Sequence, residues 1–323
     1  GKDLPLKMEG EPQAVAGTRV FQIKNTQESF VFTDVPHEPV PSFLRGFSAP
    51  IKVRLDLSDD ERLFLMANDS DEFNRWDAGQ QLAVKLILAL VRDHQEGKPL
   101  LLDNMFIDAF KKTLESAMPD KAFQAFALTL PAETYLADFM PVIDPEAIHE
   151  SRRFVQQVLA AVLQKSLLAV YRANHDPGPF RVDQESIARR SLRNTCLAYL
   201  MELDDKDVHK LCVEQFLFGG NMTNVMAALV NIANTDCPEQ EDALRFFHER
   251  WKNDPLVVDK WLAIQATSRL PNTLERVKEL TRHPAFNIKN PNKVRALIGA
   301  FSANPVRFHD PGGAGYEFLA EHV

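Results

Sequence analysis

The chain has 323 residues, of which 45% are hydrophobic and 25% charged, with a formal net charge of −8, the balance of an ordinary globular protein long enough for more than one domain. The acidic excess and the lack of a Lys/Arg stripe exclude a phosphate-binding surface, so no nucleic-acid partner is expected. No uninterrupted apolar run reaches the ~18 residues of a bilayer span, and the opening GKDLPLKMEG has no signal-peptide h-region, so no membrane partner is expected either.

Residues 1–57 read as β structure. TRVFQIKN (18–25), ESFVFTDV (28–35) and APIKVRLDL (49–57) are short, partly alternating and rich in Val, Ile, Phe and Thr, with Pro, Gly and Asn turn signals between them. They predict three antiparallel strands. Such a layer is thin: either it leans on the rest of the chain or part of a sheet lies upstream. The loop PHEPVPSFLRGF (36–47) carries three prolines and is expected at a sheet edge or between layers.

At Ser58 the period changes from two to 3.6. SDDE is a capping box, with Ser58 accepting from the Glu61 amide and Glu61 reaching back to the Ser58 amide. Helices are predicted over 59–67, 73–96, 103–116, 120–128, 132–139, 145–174, 184–202, 205–218, 221–234, 238–252, 255–268, 273–282, 291–302 and 315–323. Within 145–174, Val155, Val158, Leu159, Val162, Leu163 and Leu167 form one apolar stripe. Asp254-Pro255 and Asn290-Pro291 combine a capping side chain with proline at the first helical position, and Asn272 with Glu275 is read as a second reciprocal cap. Short helices on short loops are the grammar of a helical array in the manner of an α-solenoid, although no strict sequence period is present.

Catalytic templates are missing. His149-Glu150, His37-Glu38 and His248-Glu249 each begin like a zinc-binding H-E-x-x-H helix, but the second His is replaced by Arg153, Pro41 and Lys252. DPGGAGYEF lacks the P-loop lysine and reads as a loop before a terminal helix. Cys196, Cys212 and Cys237 have neither knuckle nor disulfide spacing and read as reduced, helix-packing thiols of a cytoplasmic protein. Acidic runs such as LDLSDDE and MELDDKD read as solvated helix faces. Trp76, Trp251 and Trp261 fall in helical patterns and read as packing residues. One stretch suits ligand binding: in NIKNPNKVRALIGAF (287–301) a helix opening at Asn290 presents free amides and a positive dipole end beside Asn292, Lys293 and Arg295, an arrangement suited to a carboxylate or a peptide carbonyl.

Five blocks, FNRWDAGQQL, RRSLRNTCLAYL, NMTNVMAALV, DKWLAIQATS and NPNKVRALIGAF, in this order, resemble the C-terminal half of the bacterial aminopeptidase N family, alanyl aminopeptidases of the thermolysin-like zinc metallopeptidase (gluzincin) type. The resemblance runs through essentially the whole chain. It implies a mainly α fold, with residues 1–57 as the C-terminal part of a small β-sandwich domain and 58–323 as a large, superhelical C-terminal α-helical domain truncated at its end. It also implies that the catalytic domain, with its G-A-M-E-N and H-E-x-x-H segments, lies outside this chain. The parent would be a cytoplasmic, monomeric zinc enzyme that removes N-terminal residues from peptides, zinc polarising the scissile carbonyl and activating water. This chain would bind no metal and hold no catalytic residue. It would cap the active-site cavity, with Arg295, and after it Asn290 and Asn292, on the substrate channel, and its partners would be peptide substrates and the missing catalytic domain. The rival reading is an independent α-solenoid scaffold for protein partners; an autonomous hydrolase has no motif behind it.

Overall fold

The computed structural model describes residues 2–15, 17–49, 51, 53–176 and 178–322. Strand β1 (Lys7–Met8) pairs antiparallel with β2 (Phe32–Thr33), Lys7 opposite Thr33 and Met8 opposite Phe32, and Leu6 bridges to Val15. Of the three predicted strands, only the second therefore takes part in a ladder. The first, 18–25, is not a strand, and Val20 and Ile23 are 82% and 71% exposed. The third, 49–57, has no strand among its described residues; Pro50 and Lys52 lie outside them. The physical reason is that β propensity measures fit to a half-buried pleated surface, and these segments have none to lie on. Side chains hold this region instead: Arg19 grips both carboxylate oxygens of Glu11 at 2.5 and 2.6 Å, and Phe21 packs on Phe30 and Phe32 with ring centroids 4.4 and 5.9 Å apart.

The remainder is helical: α1 (Asp59–Asn68), α2 (Glu72–Gln95), α3 (Asn104–Glu115), α4 (Lys121–Ala127), α5 (Glu133–Ala137), α6 (Pro145–Ala173), α7 (Gln184–Leu200), α8 (Lys206–Phe218), α9 (Met222–Ala233), α10 (Gln240–Trp251), α11 (Pro255–Ala266), α12 (Thr273–Leu280), α13 (Pro291–Val294), α14 (Ala300–Ser302), α15 (Pro305–Phe308) and α16 (Ala314–Ala320). A π-helical segment, Arg295–Gly299, joins α13 to α14. Helix α15 escaped the sequence reading because a four-residue helix shows no periodicity, although Asn304 caps it just ahead of Pro305. The terminal helix, expected to run on to residue 323, ends at Ala320; Val323 lies outside the described residues.

Caps explain why the helices start where they do. Ser58 and Glu61 form the reciprocal box, with Glu61 N–H donating to Ser58 Oγ at 3.2 Å and Ser58 N–H to Glu61 Oε2 at 2.6 Å. Asp71, Asp103, Asp120, Asp144, Asp183, Asp205 and Asp254 each accept an amide of the helix they precede, which uses much of the acidic excess locally. The expected cap at Asn272 does not form. Its backbone sits in a turn (φ −83°, ψ 10°), and its side chain makes no capping bond.

The loop 36–47, expected at a sheet edge, docks on the start of α2. Asn74 Nδ2 donates to Ser42 Oγ and to Phe43 O, both at 2.8 Å, and Gly46 N–H donates to Asp71 Oδ2 at 2.9 Å. Helix α6 is the spine, in contact with α2, α3, α5, α7 and α15. Val155, Leu159, Leu163 and Leu167 on it are buried, one per turn, whereas Val162 is 60% exposed and does not belong to the buried stripe. At roughly 1.5–3 kcal/mol for each fully buried aliphatic side chain, this row is a main part of the core. By length and composition α6 could cross a bilayer; here its apolar row packs inside the helical layers. Gly315, in the first turn of α16, is a packing residue, since a Cβ there would lie 2.3 Å from the Phe308 carbonyl oxygen.

Candidate functional site

Between the helical layers lies an open cavity of about 330 Å³. It is lined from α5 by Glu133, from α6 by His149, Arg152 and Arg153, by Glu202 after α7, by Asn231 and Asn234 from the end of α9, and by Arg269 after α11. Ala198, Ala303, Pro305 and Val306 supply its apolar wall. Glu202 is its hub: the side chain is only 7% exposed, Oε1 accepts from Arg269 Nη1 at 2.6 Å, and Oε2 accepts from Arg153 Nε at 3.4 Å. Arg269 is further fixed by its own N–H on Asn234 Oδ1 (2.9 Å) and its Nε on Asn234 O (3.3 Å). Arg152 is spent on the scaffold, donating to Pro131 O at 2.8 Å and to Gln156 Oε1 at 3.0 Å.

None of this was legible in the sequence. Glu202 stood in an acidic run read as a solvated face, and Asp205 in the same run is the cap of α8. In the sequence Arg153 marks only the position where a zinc motif would have its second His. The cavity draws on positions from 133 to 306, and no local spacing connects them.

At the other candidate, the structure separates the four residues that the sequence grouped. Lys293 is buried and committed, with Nζ donating to Asp259 Oδ1 at 2.6 Å and to Pro255 O at 3.0 Å, so it is not an open cation at the helix start. Asn290 Oδ1 accepts the Asn292 amide at 3.0 Å and so caps α13. Asn290, Asn292 and Arg295 are exposed, and Arg295 has no hydrogen-bond or ion-pair partner among the described residues. Arg295 opens the π segment, an irregularity frequent at functional sites. These residues do not line the cavity around Glu202.

The cysteines are packing residues: Cys196 and Cys212 are fully buried, and desolvation pushes both thiols up to about 12. Trp261 is buried with Nε1 donating to Leu244 O at 2.9 Å, and Trp76 stacks on Phe126 at 4.9 Å. His149 Nδ1 lies 2.8 Å from Glu133 Oε1.

Residues 59–323 match the family model described as a domain of unknown function (DUF3458_C) with ARM repeats, and residues 4–56 match the companion model (DUF3458) with an Ig-like fold. The chain belongs to the DUF3458_C family. The Ig-like and ARM-repeat descriptions agree with a small β part followed by a large helical array. This DUF3458_C chain is 39% identical over 322 residues to aminopeptidase N of Escherichia coli K12, covering 99% of this chain and 36% of the relative. It is 37% identical over 312 residues to aminopeptidase N of Caulobacter vibrioides, covering 95% of this chain and 35% of the relative. A solved structure of Legionella pneumophila aminopeptidase A in complex with aspartic acid superimposes with a TM-score of 0.77 at 31% identity, over 91% of this chain and 36% of that one. The chain is thus homologous to the C-terminal region of aminopeptidase N and spans about a third of the length of these relatives.

A metallopeptidase relationship implies a metal, and the donor set here does not fit one. Among the described residues no three His, Cys, Asp or Glu side chains come together to hold an ion. His149 and Glu133 pair with each other, and position 153 is an arginine, which cannot ligate.

Proposed function

We propose that this chain is a non-catalytic C-terminal portion of an aminopeptidase that removes N-terminal residues from peptides. The observation that carries this reading is the alignment of 99% of the chain with 36% of aminopeptidase N at 39% identity. Residues 1–57 are then the latter part of the β-sandwich domain and 58–323 the helical domain, which covers the active-site cavity and limits access to short or unfolded peptides. Zinc belongs to the remainder of the parent, a cytoplasmic monomer. Val20, Ile23, Val31 and Phe43 stand 40% or more exposed in the first part, which suits burial against the catalytic domain.

Within this reading Arg295, Asn290 and Asn292 are substrate-channel residues. Support comes from the unpartnered guanidinium of Arg295 at the head of the π segment, with Asn292 beside it on the same exposed turn. A free guanidinium offers a planar fork for a peptide carbonyl or carboxylate.

The test is an aminoacyl-arylamide hydrolysis assay on the isolated chain with added zinc, run beside elemental analysis. No turnover and no stoichiometric zinc are expected; turnover that follows bound zinc would sink the proposal. In a full-length aminopeptidase carrying this region, Arg295→Ala raises KM for peptides while leaving thermal stability unchanged. A scaffold for protein partners is the second reading, favoured by the ARM-repeat description; partner binding by the chain together with no effect of Arg295→Ala in the full-length enzyme would support it.

A further inference from the structure

We propose that the cavity around Glu202 is a binding site for a single carboxylate group, carried by a peptide C-terminus or by a small free acid. The argument begins with what Glu202 leaves over. It takes one nitrogen each of Arg153 and Arg269 and thereby fixes two guanidiniums at one wall. Both terminal nitrogens of Arg153 and Nη2 of Arg269 then have no partner among the described residues. Guanidinium forks match the two oxygens of a carboxylate and lose little freedom when already held.

Charge selects the ligand further. Three guanidiniums face two carboxylates in the lining, an excess of one positive charge among these groups, which a monoanion balances. A phosphate dianion would overshoot it. Asn231 adds an acceptor: its Nδ2 is used on Ala227 O at 3.0 Å, and its Oδ1 has no partner among the described residues, so it can take an amide N–H next to the bound carboxylate. Ala198, Ala303, Pro305 and Val306 give the apolar wall for the attached carbon skeleton. The volume of about 330 Å³ is at the small end of ligand sites, as a short acidic ligand requires.

The test is calorimetric titration of the chain with acetyl-Ala-Ala, its C-terminal amide, acetate and inorganic phosphate. One saturable site for acetyl-Ala-Ala is expected, with the amide weaker by about tenfold or more because charge-assisted bonds are lost. Affinity falls with added salt. Arg153→Gln weakens the acid by about tenfold or more, and Arg153→Lys recovers part of the loss without the fork geometry. Arg153 is the variant of choice because it is 37% exposed and makes only the long bond to Glu202, so the fold tolerates its loss; far-UV dichroism checks this. Acetyl-Ala-Ala tighter than acetate supports a peptide terminus, and equal affinity supports a free acid. Equal binding of acid and amide, no saturable binding of the acid, tighter binding of phosphate, or an unchanged Arg153→Gln variant each overturns the proposal. Because the readout is binding without turnover, a failure here is separate from a failure of the aminopeptidase reading.

Discussion

Lys293→Met tests how the turn that carries Arg295 is held. Lys293 Nζ is bonded to Asp259 Oδ1 at 2.6 Å and to Pro255 O at 3.0 Å, with side chains 10% and 20% exposed, so the pair staples α13 to the first turns of α11. Removing one partner of a fully buried pair costs roughly 3–5 kcal/mol, because the other charge is left without compensation. Two features reduce that figure here. Methionine keeps most of the apolar stem in place, and Asp259, one-fifth exposed, can be rehydrated by local opening. The expected cost is therefore about 2 kcal/mol, measured by urea unfolding at neutral pH followed by far-UV dichroism. The double variant Lys293→Met/Asp259→Leu removes the stranded carboxylate and should return to within about 1 kcal/mol of the unaltered chain. Hydrogen exchange in the single variant should accelerate first at residues 292–295. The reasoning is refuted if the single variant costs less than about 0.5 kcal/mol, below the usual range for a charge-assisted bond, or if the double variant is less stable than the single.

Other outcomes follow from the same geometry. Gln215→Leu removes the acceptor of the Tyr171 hydroxyl and of Arg193 Nε, held by Gln215 Oε1 at 2.9 and 3.1 Å, and leaves Tyr171 only the bond from Arg193 Nη2 at 2.8 Å. It also frees Asn194 Oδ1 and Asn224 O, and a loss of about 2–4 kcal/mol is expected in the same unfolding assay. Ser58→Ala removes the box at α1 and should cost about 1 kcal/mol; no change in the unfolding midpoint would contradict the capping argument. In the native protein at pH 8, a thiol reagent should modify at most Cys237, and Cys196 and Cys212 only after unfolding, since burial pushes both thiols up to about 12. The Arg19 hydrogen bond, followed by the Met8 amide, lowers the Glu11 carboxyl from 4.5 to about 2. Its folded value is depressed, so the stabilisation is present above the ordinary carboxylate range and is lost as pH falls towards about 2. A nuclear magnetic resonance titration of Glu11 with a midpoint near 4.5 would refute the clamp.

Local chemistry determined the helical part of this protein. Period, caps and proline positions are properties of a few consecutive residues, and they placed α1 at Ser58, α11 at Asp254 and α13 at Asn290 as the structure has them. The ordered blocks from FNRWDAGQQL to NPNKVRALIGAF carried the aminopeptidase likeness in the same way, as runs of adjacent residues. Where a local signal depends on a distant surface, it failed. TRVFQIKN has strand propensity but no sheet to complete, and Asn272 has capping chemistry but sits in a turn and makes no capping bond. Tertiary structure alone decided which charges are spent and which are open. Lys293 is absorbed by Asp259, thirty-four positions earlier in the chain, while Arg295 stays free. Glu202 draws Arg153 and Arg269 to one cavity wall across 49 and 67 positions. Burial and pairing are relations between elements, and they arise only when the helices pack.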